Sequence, residues 1–146
     1  MVHDWLVVRP DRVPAMVALF DGNRDDLRDE CCHYASFHDG DIEGSDLNRL
    51  WSIIQGRQDG NRHICAEVFR DGGDGHPKLG RISEDCLRAL AGMSDGDIQA
   101  AAAAWQQTGI MVYGTVEGAA RTIRELQGLS RRAVAEGAAV LLEWWY

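Results

Sequence analysis

Lysine is almost absent from this chain. Lys78 is the sole example, and 15 basic residues in all face 23 acidic ones, for a formal net charge of -8. A nucleic-acid binder gains most of its affinity by neutralising phosphates with Lys and Arg. An acidic chain without a basic stripe therefore argues against DNA, RNA and anionic membrane as partners and favours a basic protein. Long apolar runs are missing too, and none approaches the ~18 residues that a membrane-spanning helix requires. The opening MVHDWLVVRPD offers neither a basic leader nor a small-residue cleavage site. The expectation is a cytoplasmic protein. The four cysteines, Cys31 and Cys32 among them, lack framework spacing, so they read as reduced thiols rather than a disulfide scaffold.

No internal repeat, low-complexity tract or linker divides the chain, which predicts a single globular domain over residues 1–146. A chain of this length buries roughly 70% of its unfolded surface and needs no structural metal to hold a core. Its 45% apolar content is too high for intrinsic disorder. The charge, by contrast, is unevenly spread. Between Asp21 and Asp46 nine carboxylates stand against Arg24 and Arg28 alone, a balance of -7. Such a run forms either a solvated acidic face or a surface for a basic partner.

Trp5 to Arg9 reads as a first strand stopped by Pro10, with Asp11 positioned to cap a helix carrying Val13, Met16, Val17 and Phe20. From Asn23 to Phe37 the three- and four-residue steps of Leu27, Cys31, Tyr34, Ala35 and His38 predict a second helix. Ser45 opens a third, with Leu47, Leu50, Trp51 and Ile54 as its stripe and Gly56 as its stop. The glycine-rich stretch from Arg57 to Leu79 reads as loop, with His63 to Arg70 ambiguous between strand and helical turn. Ser83 caps a helix bearing Cys86, Leu87 and Leu90, and Ser94 with Asp97 opens an alanine-rich one. Thr115 starts the longest helix, which Gly137 ends. The tail AAVLLEWWY reads as a strand buried on both faces. Together these elements predict a helix-rich α+β fold whose small sheet includes strands from both ends of the chain.

The stretch CCHYASFHDGDIEGSD invites a metal reading, but the spacings do not support one. On a helix His33 and His38 would point about 140° apart, and Cys31 and Cys32 about 100° apart, whereas zinc wants pairs on one face. Asp39, Asp41 and Gly44 follow the opening of a calcium loop, yet Leu50 occupies the position of its closing bidentate glutamate. RDGGDGHPKLG is no phosphate cradle, since Leu79 follows Lys78 where a Walker loop has Ser or Thr, and Asp71 and Asp74 repel anions. The fingerprints GxGxxG and GxSxG are absent. Neither metal nor cofactor is expected.

Three segments, SDLNRLWSIIQG (Ser45 to Gly56), GHPKLGRISEDCLRAL (Gly75 to Leu90) and ELQGLSRRAVAEGAAVLL (Glu125 to Leu142), resemble the YfbM-like family of small bacterial proteins. The first is similar to that family's Asp-Leu-x-Lys-x-Trp helix. It departs from the family at Ser52 and Gln55, which stand in the neighbourhood where histidines commonly follow the tryptophan. The resemblance implies an α+β domain in a bacterial cytoplasm and no established activity, so it transfers no catalytic residue.

The functional expectation is a non-catalytic, regulatory or toxin-neutralising protein that binds a basic partner. Asp25, Asp26, Asp29, Glu30 and Trp145 are its candidate contact residues. Two alternatives stand beside it. One is a small hydrolase in which His33, His38 or His63 meets a cysteine or an acid only in the fold. The other is a homodimer or scaffold joined through the aromatic end, Trp144 to Tyr146.

Overall fold

A computed structural model describes residues 3–20, 24–37, 44–57, 63–71, 77–108 and 115–144. The chain opens with β1 (His3–Val8), a 3-10 turn (Pro10–Arg12), α1 (Val13–Leu19) and α2 (Arg24–Glu30), then β2 (His33–Phe37) and α3 (Gly44–Ile54). It continues through β3 (Cys65–Arg70), β4 (Lys78–Ile82), α4 (Glu84–Gly92), α5 (Asp95–Gln106) and α6 (Val116–Glu136) to β5 (Ala139–Trp144). The strands form one antiparallel sheet in the order β2-β1-β5-β4-β3. The two ends of the chain thus meet side by side inside the sheet, as an α+β reading with terminal strands requires.

Both faces of that sheet are covered. Trp5 and Val7 of β1, with Val140, Leu142 and Trp144 of β5, pack against Leu47, Leu50, Cys86, Leu90, Ile98 and Ile123 from α3 to α6. Leu6, Val8, Leu79 and Leu141 point the other way, against Val13, Met16 and Phe20 near α1 and Leu27 of α2. Coverage on two faces is why β5 is a nearly unbroken apolar run with all six residues buried. Trp144 is 2% exposed and belongs to the interior; Trp145 and Tyr146 lie outside the described residues.

Helix boundaries follow cap chemistry closely in the second half. The Ser83 hydroxyl accepts from the Cys86 amide at the start of α4, and Ser94 and Asp97 form a reciprocal capping box on α5. Thr115 caps α6, and Gly137 ends it in the left-handed conformation at φ 62°. Buried Gln127 of α6 donates from Nε2 to the carbonyls of Leu90 (3.2 Å) and Met93 (2.8 Å), tying the long helix to the end of α4.

The first half departs from the sequence reading in three places. The helix expected from Asn23 to Phe37 stops at Glu30, and His33–Phe37 is strand β2, paired to β1 with His33 opposite Val7 and Phe37 opposite His3. Tyr34, expected on an apolar helical stripe, is 51% exposed. The helical angles used to separate Cys31 from Cys32 and His33 from His38 do not apply to this backbone. Asp11 makes no cap, since α1 begins after the 3-10 turn with Arg12 at its N-cap and no side-chain cap bond. The island from His63 to Arg70, left open between strand and helical turn, holds strand β3, and Lys78 and Leu79, read as the end of a loop, begin β4. Gly80, in mid-strand just beyond that stretch, has β3 pressed against it. A Cβ there would sit 2.8 Å from Cys65 Sγ and 3.0 Å from the Glu67 carbonyl oxygen.

Candidate functional site

Of the expected contact residues, Asp26, Asp29 and Glu30 are exposed on α2. Asp25 is on the same helix, its side chain outside the described set, and Trp145 lies outside it altogether. Glu30 is ion-paired with Arg12, which holds that guanidinium even more firmly in its charged form. Not every acid of the Asp21 to Asp46 run is solvated. Asp46 is buried in the first turn of α3 with Arg49 Nη1 3.3 Å from its Oδ1, while its backbone oxygen accepts from Trp105 Nε1 at 3.0 Å. Asp39, Asp41 and Glu43 fall outside the described residues.

Helix α2 leads into β2, the outermost strand on its side of the sheet among the described residues. Directly opposite residues of an antiparallel pair project to the same face. Tyr34, opposite Leu6, therefore stands on the face covered by α1 and α2, whereas His33 and Ala35, opposite Val7 and Trp5, stand on the α6 side. His33 is held there from both ring nitrogens. Arg132 Nη1 lies 3.0 Å from Nδ1, and Glu136 Oε1 lies 3.5 Å from Nε2. Because a guanidinium has only donors, Nδ1 must accept and the ring proton resides on Nε2, facing Glu136. This fastens β2 to α6 and leaves neither ring nitrogen to a substrate.

The thiols divide by environment. Cys65 and Cys86 are buried, and burial pushes Cys65 up to about 12 and Cys86 higher still, the neighbouring Cys65 adding to the latter. A thiol so far from ionising is no nucleophile at neutral pH. Cys32 is exposed and Cys31 half-buried beside the α1 and α2 core; none of the four is bridged. His63 is exposed and tilted against the Trp144 ring at 6.0 Å. His38 and His76 lie outside the described residues. Among the described residues no three of His, Cys, Asp or Glu converge as metal ligands, and no helix is long and apolar enough to cross a membrane.

Two features escaped sequence reasoning. Asp4 and Glu143 are direct cross-strand partners on β1 and β5, each 2% exposed and neither without a polar partner. Their only sequence signal is that each interrupts an apolar run. The second is a cleft of ≈ 280 Å³ between α4 and the end of α6, lined by Arg81, Glu84, Leu87, Arg88, Val134 and Gly137. Glu84 lies between the two arginines, 3.9 Å from Arg81 and 3.4 Å from Arg88, so the two cations there share one carboxylate.

A scan of protein families, a search of curated proteins and a search of solved structures each return no match to this chain.

Proposed function

We propose that this protein is a non-catalytic binding module whose acidic segment, centred on α2, engages a basic protein, in a regulatory or neutralising role. The observation that carries this reading is the exposure of Asp26 and Asp29 on a short helix within the chain's most acidic segment. Carboxylates held at a surface and aimed at water raise the encounter rate with a basic partner and select against acidic ones. The surroundings of His33, Cys65 and Cys86 weigh against the hydrolase alternative, and the burial of Trp144 weighs against a scaffold joined through that side chain. The YfbM-like resemblance brings no activity and does not alter the proposal.

The test is an affinity capture at low salt with the native chain and with the Asp26→Lys, Asp29→Lys variant as baits. Basic proteins should be retained by the native bait, released as ionic strength rises, and lost from the variant. Equal capture by both baits, or capture dominated by acidic proteins, would refute the proposal.

A further inference from the structure

The sheet has two edges, and they differ. β3 pairs with β4 through two register shifts, and its residues include the exposed charges Glu67 and Arg70. Bulges and edge charges are devices that keep a strand from recruiting another. β2 has neither. All five of its residues run in continuous register with β1, and its sequence, His-Tyr-Ala-Ser-Phe, contains no Lys, Pro or acid. In the chain this strand sits in the middle of the acidic run, between α2 and Asp39, Asp41 and Glu43. A regular, uncharged edge inside a segment with a balance of -7 is a template for a strand of opposite charge.

We propose that β2 is the docking site for an extended basic segment of another protein, which adds to the sheet as a sixth strand with its basic residues at alternate positions. The proposal rests on the reading of the acidic segment given above and specifies its geometry. In strand addition, main-chain hydrogen bonds supply affinity and alternate side chains supply specificity. Side chains of the added strand beside Tyr34 lie on the face that carries α2, with Asp26 and Asp29. Those beside His33 and Ala35 lie on the α6 face, where Arg132 already takes one ring nitrogen of His33. Lysine or arginine therefore belongs at every second position, on the α2 side, with small neutral residues between.

A second copy of this chain is a poorer occupant. Antiparallel self-pairing of β2 about a two-fold axis normal to the sheet keeps each face on its own side. It would thus put both copies of α2, with Asp26 and Asp29, on the same face of the joined sheet, where like charges oppose assembly.

The experiment compares two labelled peptides of identical composition, one alternating lysine with threonine, the other with its lysines in one block and its threonines in another. Affinity is read by fluorescence anisotropy and the site by amide hydrogen exchange. The alternating peptide should bind at least about tenfold more tightly, equivalent to ~1.4 kcal/mol, slow exchange within 33–37, and lose affinity for the Asp26→Lys, Asp29→Lys variant. Equal affinity for both peptides, or protection confined to other segments, would overturn strand addition while leaving an acidic binding surface. Binding of neither peptide would overturn both readings. Sedimentation showing a dimer whose β2 amides are already protected would assign the edge to a second copy and overturn the proposal.

Discussion

Replacing Gly80 by alanine is the sharpest test of how β3 and β4 are packed. Elsewhere in a strand the change should help, because alanine restricts the unfolded chain more than glycine and gains roughly 0.5–1 kcal/mol. Here the new methyl would lie 2.8 Å from Cys65 Sγ, 3.1 Å from Cys65 Cβ and 3.0 Å from the Glu67 carbonyl oxygen. Two of those atoms are a backbone oxygen and a Cβ, which move only if β3 moves, and Cys65 is itself buried in the core. Overpacking of this kind costs about 1–3 kcal/mol. With the entropic gain subtracted at the middle of both ranges, Gly80→Ala should destabilise by about 1 kcal/mol, lowering the urea midpoint at unchanged slope. Cys65→Ala removes the sulfur and so relieves the closest contact, which makes the double variant more stable than the sum of the two singles by ~0.5–1 kcal/mol. A Gly80→Ala protein as stable as the native one, or strictly additive single changes, would refute the account of β4 as a strand that requires glycine.

Thiol chemistry should follow the same packing. At neutral pH a thiol reagent should modify exposed Cys32 rapidly and leave Cys65 and Cys86 unmodified until the protein is denatured, as mass mapping of labelled peptides will show. Early labelling of Cys86 would contradict its place in the core. The α5 capping box carries a pH signature. Hydrogen bonds from the Ser94 hydroxyl and backbone amide hold Asp97 below the ordinary carboxylate value of 3.8. A depressed folded-state value means that the contribution is fully present above 3.8 and is lost as pH falls through the lower, folded value. The melting temperature of Asp97→Asn should therefore lie below the native one at neutral pH, and the gap should close in strong acid. A gap that persists unchanged to pH ~2 would show that Asp97 does not act through its charge.

The elements legible in the sequence are those whose information is local. Ser83, Ser94 with Asp97, Thr115 and Gly137 mark helix ends through bonds spanning only a few residues, and α4, α5 and α6 begin or end where those residues stand. β5 was legible because burial on two faces leaves a continuous apolar run. What escaped was set by partners far away in the chain. His33–Phe37 carries Tyr34 and Phe37 at a helical three-residue step, and it becomes a strand because β1, some thirty residues earlier, offers it a ladder. The need for glycine at position 80 is invisible until β3 is seen pressing on it. Asp4 and Glu143 look like two unrelated interruptions until β1 and β5 set them face to face. The same logic bears on the candidate site. Acid content identified α2 from composition alone, but the edge beside it exists only once β2 is known to be a strand. A charge pattern alone names the sign of a partner, and the sheet register adds the spacing with which that partner's charges must recur.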